Sequence, residues 1–222
     1  MTHSPPTGAA ASDAQDLFWR RLRTVAFWSV VIGVALEFAL LGIAASAGHF
    51  PESARAIAQV ASKVSWSFVV CFGISCGLAA TEARSTLMGL LGALSGPAGF
   101  AVARSVHKGV GQALSMSGGV VDPMSPFVLA GIKSLEYAIF GYWLARLTKQ
   151  AGTPLKRYLG AGAVIGLVFS AVFVGLFMRA KPEATAVELV SKSLNEFVFP
   201  VGCSFVLFVA NRTTAAARKQ SS

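Results

Sequence analysis

Six stretches of this chain are apolar for the length of a membrane crossing, at residues 24–47, 60–80, 87–106, 127–145, 158–178 and 189–210. A helix needs about 20 mostly apolar residues to cross a hydrocarbon core ~30 Å thick. Only helices and closed barrels can do so, because lipid offers no partner to an open backbone N–H or C=O. The runs are continuous and do not alternate, which argues against barrel strands of about ten residues. With 54% hydrophobic and 13% charged residues over a length of 222, a soluble fold is excluded. The sequence therefore predicts an all-α fold, a polytopic membrane bundle of about six transmembrane helices in a single domain over residues 17–211.

Residues 1–16 are rich in Pro, Ala, Ser and Gly without an apolar period and read as a disordered tail. Residues 212–222 read as a basic, solvated C-terminal tail. The first apolar run, of about 24 residues, exceeds a usual signal core and lacks a small-residue cleavage site, so it is expected to stay in the membrane.

The net charge of +9 does not imply nucleic acid, because its distribution has a simpler cause: Lys and Arg concentrate on cytoplasmic loops. With the N-terminus inside, the cytoplasmic side collects Arg20, Arg21, Arg23, Arg84, Arg146, Lys149, Lys156, Arg157, Arg212, Arg218 and Lys219. The other side keeps Arg55, Arg104, Lys108, Arg179 and Lys181. Both termini are thus expected in the cytoplasm, with the protein in a bacterial inner membrane. The bilayer itself is the first partner, and the basic loops suit anionic lipid headgroups, each cation gaining about 1 kcal/mol near such a surface. Phe18, Trp19, Trp28, Tyr142 and Trp143 fit interfacial anchors.

Cys71, Cys76 and Cys203 all fall in apolar runs and read as small buried apolar residues, without a disulfide framework. His3, His49 and His107 lie in a tail and two expected loops, with no metal-ligand spacing. No haem motif, phosphate loop or nucleophile elbow is present, and Ser62 and Lys63, being adjacent, point about 100° apart on a helix. No catalytic residue, metal or cofactor is therefore expected, and the chain is not read as an enzyme.

The stretch SKVSWSFVVCFGISCGL at 62–78 recurs as SKSLNEFVFPVGCSFVL at 191–207, matching Lys63 with Lys192 and Gly73 with Gly202. The preceding runs echo each other as VIGVALEFALLG and VIGLVFSAVFVG. Helices 1–2 and 5–6 then form a parallel internal repeat of like orientation, although membrane sequences share a small alphabet that raises chance similarity. Lys63 and Lys192 stand at the outer entrances of their helices. Snorkelling of the ammonium to the interface accounts for each, and a pair of cations flanking an outer vestibule is the functional alternative.

Ionisable residues inside a membrane are costly unless paired and usually face the bundle interior or a wet cavity. Glu37 has no cation within a helical turn, so its partner must come from elsewhere. Lys133 and Glu136, three residues apart, share one helix face, and Glu37 is expected to meet Lys133 across helices as a Glu-Lys-Glu cluster. Asn195 and Glu196 add polarity one turn from Lys192.

In the third run Gly92 and Gly96 form a small-xxx-small step for close helix approach. Pro97 removes a backbone donor and should kink or break the helix, as a hinge or as a packing notch. The polar, glycine-containing stretch that follows, through Pro123, reads as the longest connection of the chain.

These features predict an integral membrane channel or secondary transporter for a small solute or ion, with a polar path of Glu37, Lys133, Glu136, Asn195 and Glu196. A homo-oligomer or membrane-complex subunit is the expected assembly. The competing expectation is a non-transporting scaffold or accessory subunit, whose buried charges fasten helices to one another or to a partner.

Overall fold

A computed structural model describes residues 8–48, 53–80, 85–114, 123–150 and 152–220. They form six helices: α1 (Gly8–Ser46), α2 (Ser53–Ala80), α3 (Ser85–Ala113), α4 (Pro126–Lys149), α5 (Leu155–Ala180) and α6 (Ala186–Gln220). Each contains one expected apolar run. The shortest, α4, has 24 residues and so measures about 36 Å, enough for a hydrocarbon core.

Five of them, α1, α2, α3, α5 and α6, are also apolar enough to cross a membrane. The exception, α4, carries Lys133 and Glu136 at its middle and is sheltered between α3 and α5. Large apolar side chains such as Phe38 (65% exposed) and Leu167 (65% exposed) point outward, the arrangement a lipid solvent favours and water does not. The chain is thus an integral membrane helical bundle.

Each helix packs on its neighbours in the chain, and α6 closes back on α1 to complete a ring; α6 also reaches α2 and α4 across the centre. Val70, Ile74, Tyr137, Phe140, Leu144 and Leu207 fill the middle.

Helix α1 begins at Gly8, so the composition-based reading of residues 8–16 as disordered is corrected: alanines and polar helix formers continue the helix before the apolar run. Residues 1–7, with His3, and residue His49 lie outside the described residues. The expected connection after Pro97 also begins later than its composition suggests. Helix α3 continues to Ala113, placing Arg104, His107 and Lys108 on a helix. Arg104, His107, Lys108 and Gly111 there line a recess in the bundle and do not terminate the helix. Gly118 and Gly119 are outside the described residues.

Pro97 does not break α3. Lacking an N–H, it leaves the Ala93 carbonyl without its helical donor, and the Ser134 hydroxyl of α4 donates to that carbonyl at 2.9 Å. A Cβ added at Gly96 would stand 2.6 Å from the Lys133 carbonyl oxygen, and one at Gly92 would overlap the Tyr137 carbonyl. Gly92, Gly96 and Pro97 thus form a docking face that brings α3 against α4 at the level of Lys133.

The expectation of three free cysteines is corrected. Cys71 of α2 and Cys203 of α6 form a disulfide with Cα atoms 5.8 Å apart, within the usual range. They are 132 residues apart in sequence, and only the crossing of α2 over α6 makes them neighbours. Denaturation without reductant followed by alkylation is expected to leave Cys71 and Cys203 unmodified, as read by peptide mass; modification of both would exclude the bond.

Candidate functional site

Four helices send charged or amide side chains to one level of the bundle interior. Lys133 of α4 donates to Glu136 Oε2 at 2.7 Å, one turn along its own helix, and also to Glu196 Oε2 of α6. Asn195 Nδ2 donates to Glu196 Oε1 at 3.3 Å, and the Asn195 Oδ1 accepts from the Lys63 ammonium of α2. Lys63 in turn lies 3.9 Å from Glu37 Oε2 of α1. The result is one continuous polar chain, Glu37, Lys63, Asn195, Glu196, Lys133 and Glu136, through four helices.

Why these residues meet follows from helix geometry. Lys133 and Glu136 share a face because residues three apart lie one above the other. The Gly96 and Gly92 approach described above fixes the depth of that face. Burial then demands pairing: Glu37 and Glu136 are 1% and 0% exposed, and an isolated charge there would cost several kcal/mol.

Two expectations change. Glu37 does not join Lys133; its cation is Lys63, and the Glu-Lys-Glu cluster is instead Glu136, Lys133 and Glu196. A helix face cannot be assigned across elements from sequence, and α6 intervenes between α1 and α4. Nor does Lys63 snorkel outward. Its side chain is 22% exposed and its ammonium turns inward to Asn195, because an amide and a carboxylate there replace the lost water. Lys192 also turns from lipid, over the rings of Phe177 at 4.4 Å and Phe173 at 5.6 Å.

The two lysines of the repeated Ser-Lys motif therefore occupy different depths. Gly33 of α1 lies against the Val64 backbone of α2, while its aligned counterpart Gly166 of α5 lies against Phe197 of α6. By this packing Lys63 corresponds in level to Glu196, one turn deeper than Lys192.

Above the polar chain lies a cavity of about 640 Å³, lined by α2, α3, α4, α5 and α6 at the end of the bundle away from both α1's start and α6's finish. Lys63, Lys133, Lys192, Asn195 and Glu196 all line it, whereas Glu37 and Glu136 of the expected path do not and lie behind the lining as ion-pair partners of Lys63 and Lys133. Its lining reaches no deeper than Trp66, Lys133 and Phe199. Beyond them the bundle is closed by buried Val70, Ile74, Tyr137 and Val206 and by the Cys71–Cys203 bond. At the opposite end Arg21 donates to Asn211 Oδ1 at 2.6 Å, and the Asn211 amide donates to the Thr148 and Tyr158 hydroxyl oxygens, each at 3.3 Å. Among the described residues the cavity is therefore blind.

Sequence reasoning missed the walls: Gln59, Trp66, Phe100, Arg104, His107, Lys108, Phe173 and Phe199. One readable signal existed. Gly96, Phe100, Arg104, His107 and Lys108 recur at three- and four-residue spacing and so continue the inward face of α3 past Pro97.

Compared with protein-family models, curated proteins and solved structures, the chain matches none.

Proposed function

We propose that this protein is a small integral membrane transporter or gated channel, in which the blind cavity is the solute site and the polar chain beneath it is the coupling element. The observation that carries this reading is the position of the cavity. It ends on paired charges at mid-bundle, where a purely structural design would place apolar side chains. A sealed floor favours alternating access or gating over a permanently open pore.

The orientation belongs to the same proposal. The excess of Lys and Arg at the closed end, with Arg20, Arg23, Arg146, Arg157 and Arg212, puts that end and both termini in the cytoplasm. The cavity then faces outward across a bacterial inner membrane.

Reconstitution into liposomes tests the reading. Flux of at least one member of an ion and small-solute panel is expected. Glu37→Gln should slow it about tenfold, since weakening one buried contact by ~1.4 kcal/mol in the transition state has that effect on a rate. Folded, correctly inserted protein that moves nothing across a broad panel would refute transport. It would leave the scaffold reading, in which the same ion pairs only fasten helices.

A further inference from the structure

The geometry points to a small organic anion, a carboxylate on an apolar body, as the ligand class of this cavity; the inference rests on the proposal that the cavity is the solute site. Among the described residues its lining carries five Lys and Arg side chains against one carboxylate, Glu196. Counting Glu37 and Glu136 behind the lining as partners of Lys63 and Lys133 still leaves cations in excess. Among the described residues Arg104, Lys108 and Lys192 have no carboxylate within ion-pair distance.

Lys192 is the most telling of these. Its ammonium is held over Phe177 and Phe173, and Lys133 lies 5.9 Å from the centroid of the same Phe173 ring. Lys133 is held by Glu136 and Glu196, whereas Lys192, on the same ring and without a carboxylate partner among the described residues, leaves a positive potential that a recess with low-dielectric walls focuses into the cavity. Arg104 and Lys108, exposed at the mouth, extend that field outward and steer anions in.

The apolar part of the ligand follows from the floor and the size. Trp66, Phe173 and Phe199 present aromatic surface beside the cations. A volume of about 640 Å³ falls in the range of pockets that enclose organic ligands and far exceeds what a bare inorganic anion fills. A carboxylate can take Lys192 while its hydrocarbon part displaces water from the rings.

The test is isothermal titration of the purified full chain in detergent with benzoate, hexanoate, sulfate, benzamide and benzylammonium, beside flux of the same compounds in liposomes. Benzoate or hexanoate is expected to bind, with sulfate weaker by about tenfold and benzamide and benzylammonium weaker still, since charge-assisted contacts are the strong ones. Lys192→Met should weaken carboxylate binding about tenfold or more and Lys192→Arg should retain it, with elution and melting of both variants as for the native chain. If Lys192→Met fails to fold, Arg104→Gln at the exposed mouth carries the same comparison, with a smaller loss that added salt abolishes.

Binding of neither carboxylate, equal or tighter binding of benzylammonium, sulfate as tight as benzoate, or unchanged binding in a folded Lys192→Met chain would each overturn the inference. The two proposals separate cleanly. Carboxylate that binds but is never moved refutes transport and keeps the anion site. Flux of a neutral or cationic solute without carboxylate binding refutes the anion site and keeps transport.

Discussion

Lys133→Met is expected to destabilise the bundle by about 3–5 kcal/mol, the cost of breaking a buried ion pair from one side. Lys133 serves both Glu136 and Glu196, so its removal leaves two carboxylates with one amide, Asn195, as their remaining contact from the site. Glu136 cannot rotate to water, being 0% exposed within the packed centre. Its Oε1 already has no hydrogen-bond donor among the described residues.

The measurement is the fraction of monodisperse protein remaining after heating in detergent. Lys133→Met should lose most of it at temperatures the native chain survives. Glu196→Gln alone should cost less, because the Lys133 to Glu136 contact at 2.7 Å persists. Combining Lys133→Met with Glu136→Gln and Glu196→Gln should recover much of the loss, since removing the whole set leaves no uncompensated charge. A Lys133→Met chain as stable as native would show that the ion pairs do not hold α4 to α6.

The second large effect is expected at Gly92. A methyl group there would overlap the Tyr137 carbonyl, and at Gly96 it would stand 2.6 Å from the Lys133 carbonyl oxygen. Neither obstacle is a flexible side-chain end; both are backbone. Gly92→Ala must therefore push α3 from α4, at a cost of about 1–3 kcal/mol or more, although alanine is the better helix former by about 1 kcal/mol.

Gly42→Ala supplies the control, because nothing lies within 4 Å of its added methyl; its stability should hold or rise slightly. Equal melting of the Gly92→Ala and Gly42→Ala chains would remove the close α3–α4 contact from the account. Since Ser134 and Lys133 sit at that contact, the Gly92 variant should also lose flux beyond what its lower yield explains.

How the site was read from sequence depends on the kind of interaction. Lys133 with Glu136 was legible because three residues on a helix fix a shared face, and the structure joins them at 2.7 Å. Gly92 and Gly96 were legible as a packing step for the same reason, a local spacing with one helical meaning. Glu37 was legible as a group needing a partner, but not that the partner is Lys63. That choice depends on the rotation of α1 against α2, which no local spacing encodes.

Arg104 and His107 show a different failure. Polar residues and glycine after Pro97 resemble a loop when each is scored for lipid. A helix that lines a polar recess has the same composition, and the periodicity carried past Gly96 is the better guide. Cys71 and Cys203 show the limit most plainly, since 132 residues separate two atoms that share a bond.

The sequence by itself determined the solvent, the number of helices and the presence of buried charges, because these follow from the length and apolarity of single segments and from the cost of an ion in hydrocarbon. Tertiary structure alone decided which charges pair, that Lys63 and Lys192 stand at different depths, and that the cations meet above a sealed aromatic floor. Those depend on helix rotation and register across the ring, set by a few close backbone approaches at Gly92, Gly96 and Gly166 and by side-chain packing summed over all six helices.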